Sequence, residues 1–180
     1  RPPRSTLFPY TTLFRSEIDL IGFDSRCHVR PPLRSLRDKD ALRAGLATGV
    51  IGAICSDHQP HEADAKLAPF GDTEPGISGL DTLLALSLRL VRDRVLSLPA
   101  MIERLTHGPA QILGLDSGHL GVGAVADVCI FDPTAEWRLE SARLRSRGQN
   151  SPFSDWELPG RVTYTVLEGR VVYAGSGGNG

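Results

Sequence analysis

A short apolar run followed at once by polar residues is the feature that most constrains the fold of this chain. Residues 50–55 read VIGAIC, and Ser56, Asp57 and His58 come directly after them. An apolar run without polar alternation is typical of a strand that is buried on both faces in a parallel sheet. The sequence therefore predicts an α/β fold with polar side chains at the carboxyl end of a core strand.

Helical patterns flank this strand. Ser35, with Asp38 three residues later, forms a capping-box start for a helix that ends near Gly49. Residues 80–96 form a largely apolar helical pattern. Ser97 can begin a further helix, which Gly108-Pro109 is expected to interrupt before a short turn.

The pattern changes from Gly118 onwards, where β segments punctuated by glycine dominate. The predicted strands are residues 126–131, 162–167 and 170–173, and Glu168-Gly169 joins the last two as a hairpin. Helices alternating with a buried strand up to about residue 115, and strands afterwards, indicate two architectures in one chain. With 180 residues, the chain is shorter than the ~200 that a closed eight-stranded (β/α) barrel needs, so a barrel here would be part of one.

The first sixteen residues do not fit either pattern. They repeat Thr-Leu-Phe and show no period that matches the rest of the chain, so residues 1–16 are predicted to be an unstructured or artefactual leader. The sole methionine is Met101, so the chain is expected to begin inside a longer gene product. The predicted division is therefore residues 1–16, 17–115 and 116–180.

Composition excludes several classes of function. The formal net charge is −1, from 20 basic and 21 acidic residues, which predicts no nucleic-acid partner. Three widely spaced cysteines, without a CxxC pair, argue against a disulfide framework and for a reducing, cytoplasmic setting. No apolar run approaches the ~18 residues of a membrane span, so no membrane association is expected.

The segment Asp57-His58-Gln59-Pro60-His61 carries the candidate chemistry. A carboxylate at the end of a barrel strand can bind a metal and act as a general base, although Asp57 can equally be a turn cap. His61 can donate to a substrate carboxylate, whereas His58 can equally be a packed histidine behind the strand. Pro60 makes a helical pair of metal-binding histidines doubtful.

Several motifs in order and spacing resemble the dihydroorotases of the amidohydrolase superfamily, of the class I type. The resemblance covers about residues 24–175 and is carried by these motifs: HVRPPLRS at 28–35, SDHQPH at 56–61, PGISGLDT at 75–82, NSPF at 150–153 and GRVV at 169–172. It implies the C-terminal part of a metal-dependent (β/α)₈ barrel in residues 17–115, followed by strands of a small β-sandwich in residues 116–180.

The resemblance also implies roles for individual residues. In this family the aspartate at position 57 binds the metal, zinc, and shuttles the proton in the reversible cyclisation of N-carbamoyl-L-aspartate to dihydroorotate. His61 and the backbone at Pro75-Gly76 are implied substrate contacts, and position 30 also lies in the substrate site. The full-length family is expected to be oligomeric.

Two departures from the family pattern bear on activity. Active members usually have Asn where this chain has Arg30. An amide can both donate and accept hydrogen bonds to a substrate, whereas a guanidinium only donates. Only one of the implied metal ligands, Asp57, lies in this chain, so the 180 residues are not expected to hold zinc or to be active alone.

Three functions remain open from the sequence. The first is a dihydroorotase, and the second is a non-catalytic dihydroorotase-like subunit that scaffolds aspartate carbamoyltransferase, which Arg30 favours. The third is an allantoinase or hydantoinase of the same superfamily. Arg30 is expected either to pair with Asp57 or to point to solvent.

Overall fold

The computed structural model describes residues 7–175 of the 180-residue chain. Residues 1–6 of the predicted leader, and residues 176–180 of the predicted C-terminal unit, lie outside the described residues. Within the described range, two short strands and five α-helices occupy the chain up to Leu113, and a separate antiparallel sheet follows.

The first sheet is a parallel pair. Strand β1 (Leu7–Pro9) pairs with strand β2 (Ala53–Cys55), with Phe8 opposite Ile54. Strand β2 is shorter than the predicted 50–55, and Val50 is 68% exposed. The prediction of a buried core strand is confirmed for Ala53 and Ile54.

The sequence predicts a leader that is unstructured or artefactual; residues 7–16 are structured, which contradicts the first of these two alternatives. After β1 the chain forms the one-turn helix α1 (Thr11–Phe14), and Tyr10 and Leu13 are fully buried. These apolar side chains fill core space, and the Tyr10 hydroxyl bonds to the Thr82 hydroxyl at 2.8 Å. A three-residue strand and a four-residue helix are too short to show a period in the sequence, so the pattern does not reveal them.

Helix α2 (Leu36–Ala47) begins where its capping box predicts. The Ser35 hydroxyl accepts from the Asp38 N–H, and the Asp38 carboxylate accepts from Ser35 in return. The Ser35 bond lowers the pKa of Asp38 below its ordinary value. The predicted helix start is confirmed.

Three more helices complete this region: α3 (Leu83–Arg92), α4 (Leu98–Leu105) and α5 (His107–Leu113). Ser97 caps α4 by accepting from the Ala100 N–H, as its position predicts. The expected turn after Gly108 is wrong, because Gly108 and Pro109 lie in the first turn of α5, where proline is tolerated. A Cβ at Gly108 would lie 2.3 Å from the Gly52 carbonyl oxygen, so only glycine allows α5 to approach the start of β2.

Short 3₁₀ turns occupy the connections. They are Glu17–Leu20, Ser25–Cys27, Ala63–Lys66, Phe70–Asp72, Leu80–Thr82 and Ser141–Arg143.

The second sheet is antiparallel, in the order β3-β4-β5, with β3 at Val128–Arg138, β4 at Glu157–Leu167 and β5 at Arg170–Ala174. The predicted hairpin is confirmed: Glu168 and Gly169 have φ values of 50° and 79°, as a type I′ turn requires. Strands β3 and β4 extend beyond the predicted segments. In the part of the chain that the structure describes, this sheet is a single layer of three strands.

Helix α3 packs on the first half of β4 and so joins the two regions. Gly160 has a φ of 84°, and a Cβ there would lie 2.1 Å from Leu88 Cδ1. Trp137 of β3 donates from its indole N–H to the Gly160 carbonyl at 2.8 Å. This close approach needs the glycine at position 160.

Phe153 lies at the centre of an aromatic cluster in the core. Phe153 is fully buried and contacts Tyr10, Phe14 and Trp156, with ring centroids 5.8, 6.4 and 5.1 Å away. The Trp156 ring is also covered by two guanidinium groups, those of Arg15 at 4.6 Å and Arg89 at 4.4 Å. Cation–π contact is thus combined with aromatic packing in this cluster.

Candidate functional site

Asp57 lies immediately past the carboxyl end of β2. Its backbone has a φ of 45°, in the left-handed region that few residues other than glycine, Asn and Asp enter without cost. The side chain is half-buried, and its Oδ1 accepts from the Gln59 amide at 3.2 Å. A non-glycine residue held in this region is a recurrent property of functional sites.

Asp57, Arg30 and Gly76 line one small cavity. Its volume is about 10 Å³, and its walls include Val29 and Ile77. This volume is close to that of one water molecule, so this cavity does not enclose space for a cyclic substrate. Pro9, Thr11 and Thr12, from the segment predicted to be a leader, also line the cavity.

His61 lies in the same loop as Asp57 and bonds to the second predicted substrate segment. Its Nε2 is 3.0 Å from the carbonyl oxygen of Pro75. A carbonyl oxygen only accepts, so Nε2 carries a proton. The structure therefore brings the five residues predicted from the sequence, Arg30, Asp57, His61, Pro75 and Gly76, to one end of β2.

Hydrogen bonds fix the two loops to each other. His58 and Ile77 form a parallel bridge, and the Gln59 N–H donates to the Ile77 carbonyl at 2.8 Å. Gly76 has a φ of 131°, and a Cβ there would lie 2.5 Å from Gln59 Cβ. A side chain at position 76 would push the loops apart, which explains the glycine.

His58 is a structural histidine. Its Nδ1 accepts from two backbone N–H groups, those of Gly79 at 3.0 Å and Leu80 at 3.3 Å. These donors lie at the start of the Leu80–Thr82 turn that leads into helix α3, where backbone N–H groups lack helical partners. The interpretation of His58 as a packed histidine is confirmed.

A histidine and a lysine hold the other side of the loop. His28 Nδ1 is 2.9 Å from the Thr73 hydroxyl, and its ring lies 4.8 Å from that of Phe70. Burial, and then the charge of Lys66, hold the pKa of His28 below its ordinary value. Burial also lowers the pKa of Lys66, which donates to the carbonyls of His28 and Glu74.

Asn150 is the residue of this site to which sequence analysis gave no role. It is 7% exposed and lies between the two loops, with its side chain bonded to His61, Gln59 and Gly76. The NSPF motif at 150–153 belongs to the family pattern, but Asn150 lies 74 to 91 residues from the loop residues that it contacts. Nothing in the local sequence indicates that contact.

Arg30 is exposed and, among the ion pairs of residues 7–175, makes none with Asp57. Of the two expectations for this side chain, the structure agrees with the solvent-facing one. Arg30 nevertheless contributes to the wall of the cavity that Asp57 lines.

The described residues contain no group of three or more His, Cys, Asp or Glu side chains arranged to hold a metal. Zinc in proteins takes three or four protein ligands, and Asp57, with one oxygen already bonded to Gln59, supplies one. The donor set in residues 7–175 therefore does not fit a zinc ion. No helix within this range is long and apolar enough to cross a membrane.

A family model described as "Amidohydrolase family" matches residues 24–173. A Dihydroorotase-like protein of Pseudomonas aeruginosa is 53% identical over 156 residues, which are 87% of this chain and 37% of that protein. A Dihydroorotase of Geobacter sp. strain M21 is 49% identical over 152 residues, 84% of this chain and 36% of that protein. The chain thus spans little more than a third of the length of these curated relatives.

The fold is also that of solved amidohydrolases. The L-hydantoinase (dihydropyrimidinase) from Arthrobacter aurescens superposes with a TM-score of 0.88 at 27% identity, over 94% of this chain and 39% of that structure. With the family match over most of its length and relatives named dihydroorotase at about half identity, this chain belongs to the amidohydrolase family, as a segment similar to the dihydroorotases.

Proposed function

We propose that this chain is the C-terminal part of a dihydroorotase, which catalyses the reversible cyclisation of N-carbamoyl-L-aspartate to dihydroorotate. The observation that carries the proposal is the convergence of Asp57, Arg30 and Gly76 on one cavity, beside the His61–Pro75 hydrogen bond. Curated relatives named dihydroorotase support the same reaction.

The proposed architecture rests on the same relationship. Residues 17–115 would form the last part of a (β/α)₈ barrel, and residues 116–180 would supply strands of a β-sandwich. The parallel β1–β2 pair and the antiparallel β3–β5 sheet support this division. Because β1 belongs to residues 7–9, the first region of this chain begins before residue 17.

Asp57 is the proposed general base. In the hydrolytic direction its carboxylate takes a proton from the attacking water while the water oxygen bonds to the ring carbonyl carbon. The same carboxyl group then returns the proton to the ring nitrogen as the C–N bond breaks. His61 and the Pro75-Gly76 backbone would hold the substrate. Zinc, the proposed metal of the whole enzyme, would need ligands from outside residues 7–175.

The experiment is Asp57→Asn in a full-length protein that carries this segment. The amide cannot accept the proton, so turnover should fall by ~10²–10⁴. Substrate binding, measured by isothermal titration, should change far less. Turnover within a few-fold of the unsubstituted protein would show that Asp57 is only a strand-end cap.

Zinc binding offers a second test. The 180-residue chain should bind no stoichiometric zinc, because one carboxylate is too few ligands. Metal analysis after dialysis from excess zinc measures this, with the full-length protein as the positive control. One equivalent held by the short chain at sub-micromolar affinity would contradict the ligand count.

Arg30 favours a second candidate function, the non-catalytic subunit that scaffolds aspartate carbamoyltransferase. Two curated relatives, 53% and 51% identical, carry the name Dihydroorotase-like protein. The test is the full-length protein and its Arg30→Asn variant, assayed for cyclisation alone and with the transferase. Activity of the unsubstituted protein without the transferase would exclude the second candidate.

The hydantoinase alternative has weaker support. Solved hydantoinases share the fold at 16–27% identity, whereas the curated dihydroorotases and dihydroorotase-like proteins are 42–53% identical.

A further inference from the structure

We infer that Asn150 is a positioning residue that sets the separation of the two loops proposed to hold the substrate. The inference rests on the proposed function of those loops and concerns a residue to which that function gives no role. The loops are residues 57–61 and residues 75–79.

The Asn150 side chain uses both ends of its amide across the gap between the loops. Its Oδ1 accepts from the His61 N–H at 2.8 Å. Its Nδ2 donates to the Gln59 carbonyl at 3.1 Å and to the Gly76 carbonyl at 3.0 Å. The Asn150 amide thus makes two hydrogen bonds to loop 57–61 and one to loop 75–79. Because the amide is planar and buried, these three bonds fix its orientation.

The Asn150 backbone adds a further link, because its carbonyl accepts from the Ser78 N–H at 2.9 Å. Gly148 gives an independent sign of close approach. A Cβ at that position would lie 2.5 Å from Pro60 Cβ and 2.6 Å from the His61 nitrogen. Segment 148–150 therefore lies directly against Pro60-His61, with no space for a side chain at position 148.

The position of Asn150 predicts which kinetic constant it controls. Asp57 follows β2 and is linked to Asn150 only through Gln59, whereas His61 and Gly76 are bonded to Asn150 directly. Displacing His61 and Gly76 should weaken substrate binding while Asp57, the proposed general base, stays in place. A small misplacement of binding groups can cost large factors in rate or affinity.

The experiment compares Asn150→Asp with Ser151→Ala in the full-length protein. Aspartate has the shape of asparagine but places an oxygen against the carbonyls of Gln59 and Gly76. We expect KM to rise about tenfold or more, with kcat changed less than about threefold. Ser151 is equally buried, and its hydroxyl accepts from Phe153 within its own turn, so Ser151→Ala should leave KM unchanged. An unchanged KM in Asn150→Asp, or a fall in kcat alone, would overturn the inference.

A measurement without substitution guards against a variant that fails to fold. In the unsubstituted 180-residue chain, hydrogen exchange at the His61 amide should be slowed about a hundredfold relative to an unstructured peptide. Exchange at the rate of an unstructured peptide would overturn the inference that Asn150 holds the two loops. If the amide is protected but the full-length protein has no cyclase activity, the proposed function fails instead. If Asp57→Asn removes activity and Asn150→Asp leaves KM unaltered, only the present inference fails.

Discussion

The two sheets of this molecule differ in how completely the chain covers them. Ala53 and Ile54 of β2 are 0% and 3% exposed, and the loops after β2 are bonded to Asn150. Side chains of β3 and β5 such as Ile130, Val171 and Val172 are instead 48–62% exposed. Similar β-forming residues are therefore buried in one region and left open in the other.

The difference teaches where the stability of the described chain resides. Burial of apolar surface is the main favourable contribution to folding, and it is concentrated around Phe153, Tyr10 and β2. The antiparallel β3–β5 sheet is held by the backbone hydrogen bonds between its strands and by the contact of Gly160 with α3. Substitutions in the two regions should accordingly have unequal effects.

The largest effect is expected at Phe153. Phe153→Ala removes a fully buried ring that packs on three other aromatic side chains, so the free energy of unfolding should fall by about 3–5 kcal/mol. Urea denaturation measures the change. The matched substitution is Val171→Ala in the open sheet, for which a change within about 0.5 kcal/mol is expected. Equal losses at the two sites would show that the regions do not differ.

A smaller effect is expected at His58, on the loop side of the comparison. His58→Ala leaves the Gly79 N–H without its acceptor, and the free energy of unfolding should fall by about 1–3 kcal/mol. His58→Asn is the control, because its Oδ1 can occupy the position of Nδ1, and it should recover most of the loss. If Asn and Ala destabilise equally, the two hydrogen bonds contribute little.

The smallest effect is a pH dependence at His28. Its folded pKa is lowered by burial, so the unfolded chain binds a proton more readily. Stability should be complete above the ordinary histidine value of ~6.5, and should decrease as pH falls below it toward the folded pKa. Denaturation midpoints between about pH 8 and pH 5 in the wild type and His28→Gln test this. If the denaturation midpoint of His28→Gln depends on pH as that of the wild type does, a group other than His28 causes the dependence.

Sequence patterns predicted the parts of the fold that depend on neighbours in the chain. Ser35 and Asp38 fix the start of α2, and Glu168-Gly169 fixes the hairpin, because both signals act within four residues. The packing of Tyr10 and Leu13 was missed, since their burial depends on partners as distant as Phe153.

The site shows the same division. Motifs predict that Asp57, His61 and Pro75-Gly76 lie in one site, and the structure places them together at one end of β2; the solvent-facing side chain of Arg30 is one of the two expectations for that residue. The role of Asn150 was not predicted, because its hydrogen bonds span 74 to 91 positions. Contacts at such separation depend on the tertiary fold and leave no local pattern.

The two tryptophans allow the core region and the antiparallel sheet to be followed separately by fluorescence. Trp137 bonds to Gly160 at the sheet, and Trp156 lies between two guanidinium groups beside Phe153. With only two indoles in the chain, Trp137→Phe and Trp156→Phe each leave a single tryptophan in one region. Emission from each variant during denaturation then reports whether the sheet melts with the core or before it, since coincident transitions are the mark of one cooperative unit.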